Sequence, residues 1–295
     1  LSSIRYALRI QEAILPPQKL IKSYLENSFI LYKPKDIVAG DFYWMHCNSD
    51  LKSELLFAVC DCTGHGVPGA FVSIVAHNAL NRAVKEFGLA KPSDILEKVN
   101  ELVEETFSKA ESEMQDGMDI ALCSLEFGLP TSDFSAPKAF GDGVRSVLRE
   151  RSRSEGVRSP SDKADRHSAD RLPTKLQYAG ANNSIYIIRN NILTEIKANK
   201  QPIGKFAERK PFTNHVMSET VRDRGTTMYL FSDGYPDQFG GPKGKKFKYS
   251  QFENLLLSIQ DKTMEEQKEI LNRTIDEWRG ELEQVDDICI VGVRI

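Results

Sequence analysis

The chain has 295 residues, 40% of them hydrophobic and 27% charged, with 39 Lys and Arg against 42 Asp and Glu for a net charge of −3. A chain of this size and composition forms one large or two small globular domains and buries its apolar surface without disulfides. The near-balance of charge gives no electrostatic reason to expect nucleic acid or an anionic membrane as the main partner, and no apolar run reaches the roughly 20 residues of a membrane span.

Residues 2–15 carry Ile4, Ala7, Leu8, Ile10, Ile14 and Leu15 at the spacing of an amphipathic helix, stopped by Pro16 and Pro17. Residues 1–17 read as a helix packed on the domain or as the stub of a coiled coil. The second reading implies an upstream sensory module missing from this chain and a homodimer contact through the helix. The start at Leu1 fits a piece of a longer protein. A strand is expected at 28–33, then a loop and the run Asp36–Trp44, then a buried strand at 54–60 that leads straight into Asp61. Pro68 opens a helix to about Phe87. Pro92-Ser93-Asp94 starts another, with Ser93 as N-cap, to about Glu113. Residues 118–127 read as a strand.

Residues 129–174 are rich in Ser, Arg, Asp and Pro, without periodicity, and read as a disordered insertion in a domain spanning 18–295. Strands are expected again at 175–179, 184–188, 192–197, 212–217 and 226–232. Helices follow at 249–259 and 263–279, and a closing strand at 287–294. Many antiparallel-type strands with paired helices indicate an α+β layered sandwich rather than a βαβ sheet. The five cysteines show no disulfide framework and read as reduced thiols of a cytoplasmic protein, with a membrane tether open through an upstream region. Cys60-Asp61-Cys62 lacks the second cysteine pair of a zinc site.

The aspartates carry the chemistry. Asp61 ends one buried strand, Asp233 ends the apolar MYLFS strand, Asp286 and Asp287 precede the last strand, and Asp41 follows Gly40 beside an aromatic run. One aspartate at a strand end is usually a turn residue. Several carboxylates at core edges without matching basic residues repel one another unless a cation lies among them. Oxygen ligands of this kind favour Mg²⁺ or Mn²⁺, so the residues alone point to a divalent-metal hydrolase.

Six motifs occur in order: Asp36-x-x-x-Gly-Asp-Phe-Tyr43, Asp61-Cys-Thr-Gly-His-Gly-Val-Pro-Gly-Ala70, Gly117-Met-Asp-Ile-Ala121, Tyr178-Ala-Gly-Ala-Asn-Asn183, Ser232-Asp-Gly234 and Asp286-Asp287. Together they resemble the SpoIIE-type (RsbU-like) branch of the PPM, or type 2C, protein serine/threonine phosphatases, from about residue 10 to the C-terminus apart from 129–174. Lys200-Gln-Pro-Ile-Gly204 and Asp237-Gln-Phe-Gly-Gly241 look like the bacterial subgroup fused to sensory modules. The resemblance implies a four-layer αββα sandwich with central antiparallel sheets and two divalent cations, Mn²⁺ or Mg²⁺. By motif match, Asp61 bridges both cations and the backbone carbonyl of Cys62 binds one. Asp233 and Asp286 complete the other, Asp41 reaches metal through water, and Asp119 lies near a third metal position. A water bridging the cations would attack phosphorus in line, with no covalent intermediate.

The implied substrate is a phosphoserine or phosphothreonine on a signalling protein, such as a STAS-type anti-sigma-factor antagonist. Lys33 and Lys35 are the nearby cations where animal-type relatives place a phosphate-binding arginine. The helices at 68–87 and 93–113 resemble a switch segment. A catalytically silent binding module of the same fold and a small-molecule phosphoester hydrolase are the rival readings. His65 reads as a loop-positioning residue. The stretch 240–246 lacks the first glycine and the Ser/Thr of a phosphate loop and reads as an exposed basic turn.

Overall fold

A computed structural model describes residues 2–47, 54–108, 116–127, 173–218 and 225–295. Helices α1 (Ser2–Ile14) and α2 (Gln18–Tyr24) lead into β1 (Ser28–Lys33), β2 (Phe42–Cys47) and β3 (Glu54–Cys62). Helices α3 (Gly66–Lys85) and α4 (Pro92–Ser108) follow. Next come β4 (Met118–Phe127), β5 (Pro173–Ala181), β6 (Ile185–Arg189), β7 (Ile192–Ile196), β8 (His215–Met217) and β9 (Thr227–Phe231). A short turn of helix α5 (Gly234–Asp237), the hairpin β10 (Phe239–Gly240) and β11 (Lys245–Lys246), helices α6 (Tyr249–Ser258) and α7 (Met264–Arg279), and β12 (Ile288–Arg294) complete the chain.

Two antiparallel five-stranded sheets result, ordered β1-β12-β9-β6-β7 and β2-β3-β4-β5-β8. Alternation along each strand sorts the side chains into layers. In β3, Leu55, Phe57 and Val59 join Ile185, Leu230 and Val291 between the sheets. Their alternates Leu56, Ala58, Cys60 and Cys62 pack with Leu80, Ile95 and Val99 under α3 and α4. On the other sheet Tyr229, Phe231 and Ile290 pack with Phe252, Leu271 and Ile275 of α6 and α7. Three apolar layers between four structural layers make the expected αββα sandwich. Among the described residues no helix is long and apolar enough to cross a membrane.

Several expectations shift. Helix α2 and strand β2 were not anticipated: α2 has only seven residues, and the run from Asp36 becomes a strand only at Phe42. Ser93 does not cap α4. Pro92 takes the first helical position, where its missing N–H is harmless, and Lys91 O accepts from Asp94 and Ile95. Of the strand expected at 212–217 only the last three residues pair. Phe212 N and Thr213 N instead donate to Glu97 Oε1 (2.6 Å) and Asn199 Oδ1 (2.9 Å), so side chains satisfy that backbone. The insertion expected at 129–174 lies outside the described residues up to 172, and Pro173 and Thr174 already belong to β5.

Helix α1 is joined to the domain through Gln11. Its buried amide donates to Ala39 O (2.6 Å) and Ser73 Oγ (3.1 Å) and accepts from Ala39 N (2.9 Å).

Candidate metal centre

Period-two geometry carries the aspartates to one end of the inter-sheet layer. Asp61 continues the row Leu55, Phe57, Val59, and Asp119 continues Leu125, Cys123, Ala121. The register pairs Asp61 directly with Asp119. It also pairs Phe42 with Cys60, which sets Asp41 beside Asp61 on the other flank. Three carboxylates therefore stand side by side, on the loop just before β2 and on β3 and β4. Like charges directly opposed on neighbouring strands destabilise a sheet.

The facing sheet supplies the other half. Ser232, just past β9, is locked to β12: its N–H donates to Cys289 O (3.0 Å) and its Oγ accepts from Cys289 N (3.0 Å). The Ser232 hydroxyl hydrogen-bonds the Asp41 carboxylate, and the Asp233 backbone hydrogen-bonds Asp61. Asp286 is within Coulombic range of Asp41, Asp61 and Asp233. The buried Asp287 turns away to hold the loop before β2, accepting from Lys35 N (2.7 Å), Gly40 N (2.7 Å) and Asp41 N (3.5 Å).

Burial raises Asp41, Asp61, Asp119 and Asp233, and repulsion from neighbouring carboxylates adds to it at Asp41, Asp61 and Asp233. Asp61 lies well above the usual carboxylate range through burial, then Asp233, Asp286 and Asp119. Burial and then Asp61 push Asp41 well up, against the Ser232 hydrogen bond. Asp233 is pushed up to about 6 by burial, then Asp286, Asp237 and Asp119, with Lys246 opposing. Asp119 is raised by burial although Asn182 Nδ2 donates to it at 2.8 Å.

The donor set fits hard divalent cations. Asp41 Oδ2 is buried with no hydrogen-bond partner, an acceptor that a cation or its water would satisfy. Among the described residues, no three His, Cys, Asp or Glu side chains close into cation-holding geometry. The carboxylates face one another without a shared centre. The loop beside them is shaped by close backbone approach. A Cβ on Gly40 or on Gly69 would strike the Gly64 carbonyl, and one on Gly40 would also lie 3.0 Å from the Cys62 carbonyl oxygen.

His65 stands at the rim of this loop. Its Nδ1 bonds Asp36 Oδ2 at 2.7 Å and its Nε2 accepts from Lys35 Nζ at 3.0 Å. Of the two candidate lysines only Lys35 lies there. Lys33 Nζ is held by Asp276 and Asn272 of α7 at 2.8 Å each, since Lys33 is the last residue of β1 and Lys35 lies in the loop beyond it. The Lys200–Gly204 stretch braces Asp119: Met118 and Ile203 exchange backbone hydrogen bonds of 3.0 and 2.8 Å, and Gly204 N donates to Asn100 Oδ1.

Sequence reasoning quoted Ser232 and Asn182 inside motifs but gave neither a role, and it missed Asp36 as the partner of His65. Only the cross-strand register and the packing of the two sheets reveal these partners. The stretch 240–246 is the exposed basic turn expected, yet Lys246 Nζ also pairs with Asp237 Oδ2 at 2.8 Å, one short helical turn from Asp233.

The Stage II sporulation protein E (SpoIIE) family profile matches residues 52–134 and 169–295. No curated protein sequence matches the chain. Among solved structures the chain is similar to the SiaA-PP2C domain of Pseudomonas aeruginosa, at 29% identity and a TM-score of 0.74, covering 100% of this chain and 96% of that one. It is similar in fold to part of a structure that holds the PP2C phosphatase domain and a fragment of the regulatory domain of SpoIIE from Bacillus subtilis (15% identity, TM-score 0.59, 91% of this chain and 63% of that one). It is also similar to part of a structure of the RsbU and RsbW domains of Rv1364c from Mycobacterium tuberculosis (16% identity, TM-score 0.55, 90% of this chain and 59% of that one). The chain thus spans about three fifths of each of the latter two.

Proposed function

The chain belongs to the SpoIIE family of PP2C-type serine/threonine phosphatases, and from that premise we propose that it removes phosphate from phosphoserine or phosphothreonine of a signalling protein, with two divalent cations held where its sheets meet. The observation that carries this reading is Asp61 directly opposed to Asp119 and flanked by Asp41, faced by Asp233 and Asp286 from the other sheet. In this reading Asp61 serves both cations, and the Cys62 carbonyl serves one. Asp233 and Asp286 serve the other, Asp41 acts through water, and Asp119 belongs to a third position. Mn²⁺ or Mg²⁺ at such a site supplies a water acidic enough to act as nucleophile at neutral pH and offsets charge on the phosphoryl oxygens.

The protein's own contribution is placement. Ser232 orients Asp41, Asn182 orients Asp119, and Asp287 fixes the loop that presents Asp41. Lys35, which bonds His65 and through it Asp36, would be the cation that meets a phosphoryl oxygen in this reading, whereas Lys33 is committed to Asp276. The Cys60 and Cys62 thiols are buried and pushed well up by burial, so neither is a nucleophile. A STAS-type anti-sigma-factor antagonist is the proposed class of phosphoprotein.

The test is phosphate release from a phosphoserine peptide with Mn²⁺, beside EDTA and Asp61→Asn controls. Metal-dependent release that falls at least 100-fold in Asp61→Asn is expected. No release from the metal-loaded wild-type protein would overturn the reading in favour of a silent binding module. Release from small esters alone would favour a metabolite hydrolase.

A further inference from the structure

The 239–249 segment has a use beyond an exposed turn. It carries Lys243, Lys245, Lys246 and Lys248 and no acidic residue, and all four lysines are exposed. Lys246 pairs with Asp237. Lys243, Lys245 and Lys248 make no ion pair among the described residues. Two aromatic side chains stand among them in solvent, Phe239 at 41% and Tyr249 at 45% exposure. Lys246 lies 5.9 Å over the Phe239 ring, its cross-strand partner.

The segment is placed and stiffened from below. Helix α5, at its root, starts right after Asp233. Gly240 and Gly241 rest on Trp278, where any Cβ would strike the indole or its backbone. Gly241 N donates to Trp278 O at 2.7 Å, and Trp278 Nε1 donates to Gln238 O at 3.1 Å. Phe247 N and Lys248 N bond back to Gln238 O and Pro236 O at 2.9 and 2.7 Å. A rigid basic rim with exposed aromatics thus projects beside an otherwise acidic centre. Cationic and aromatic side chains on a pre-ordered element are the composition of a recognition surface, and uncompensated charge on it selects an oppositely charged partner.

We propose that this hairpin is the substrate-recognition rim of the phosphatase, where Lys243, Lys245 and Lys248 engage acidic side chains flanking the phosphorylated residue of the protein substrate. The proposal rests on the phosphatase reading above and adds the charge of the partner. Binding energy gained there is independent of the bonds that change at phosphorus, so it acts on the choice among phosphoproteins.

The experiment uses the Mn²⁺-loaded protein and three phosphoserine peptides that differ only in flanking residues: two glutamates on each side, two alanines or two lysines. Hydrolysis of p-nitrophenyl phosphate is the reference for an intact centre. Wild type should show kcat/KM about tenfold higher for the acidic peptide than for the alanine peptide, with the gain in KM and reduced by 0.5 M salt. K243E/K245E/K248E should invert the order, favouring the lysine peptide. The same peptide order in wild type and variant, or no order in wild type, would overturn the proposal. Absence of p-nitrophenyl phosphate and peptide turnover in wild type would instead sink the phosphatase reading itself.

Discussion

At the scale of single residues the decisive fact is that Asp61 is opposed by Asp119 in the ladder and flanked by Asp41. Each carboxylate makes the next harder to ionise, so without cations the cluster opposes folding. Carboxyl groups whose folded pKa is raised contribute stability that is fully present below their unfolded value near 4 and lost as pH climbs through the folded value. For Asp233 that loss passes about 6, and Asp61 and Asp41 are raised in the same direction by burial and by their neighbouring carboxylates. Asp61→Asn removes the central member. In EDTA the variant should therefore be more stable than wild type at pH 7.5, with the difference shrinking toward pH 5, while its metal-dependent phosphatase activity is lost. Urea midpoints at both pH values measure this, and a difference independent of pH would show that the row does not repel as described. Asp41, Asp61, Asp233 and Asp286 were legible in the sequence because each stands at the edge of an apolar run, whereas Asp119 entered only through the motif resemblance. Their roles relative to one another were not, because register is a property of paired strands, and neither Ser232 nor Asn182 differs in isolation from any turn residue.

At the scale of elements, close backbone contacts position the ligand-bearing loops. Gly234 follows Asp233, and a Cβ there would strike the Asp287 carbonyl. Gly234→Ala should destabilise the protein by about 1–3 kcal/mol, the usual range for overpacking, and should weaken Mn²⁺ binding, read by calorimetry. An unchanged fold with unchanged affinity would mean the contact relaxes without moving Asp233. Gln11 makes a second such link, from α1 to the 36–41 loop and to Ser73 of α3. Gln11→Leu would leave the Ala39 backbone groups buried without partners, at about 1–3 kcal/mol. Hydrogen exchange at Ala39 should then rise well above its wild-type rate. Equal protection would show that α1 does not hold the loop. Elements were legible where the hydrophobic period was long. Strands 28–33 and 118–127 and helix 263–279 were expected within a residue of their observed limits. The last is helped by the Thr263–Glu266 capping box. The short α2, the start of β2 and the side-chain-paired backbone at 212–213 escaped because no run of residues announces them.

At the scale of the whole molecule the centre lies at one end of the apolar layer packed between the two sheets. Asp41, Asp61 and Asp119 belong to one sheet, and Ser232, Asp233 and Asp286 to the other, at the same end of the sandwich. Cations bound there would tie the layers together and cancel the repulsion that sets them against each other. Ligand that binds only the folded chain stabilises it by about 2.7 kcal/mol at 100 times Kd. For a domain of this size 1 kcal/mol raises Tm by about 2–4 °C, so saturating Mn²⁺ should raise Tm by about 5–10 °C in wild type. The rise should nearly vanish in Asp61→Asn, and should shrink in both Asp233→Asn and Asp286→Asn, although those residues lie on the opposite sheet. Calorimetric melting with and without Mn²⁺ decides the matter. If the two single-sheet substitutions leave the Mn²⁺ shift intact, the cations are held by one sheet alone and the centre does not span the sandwich.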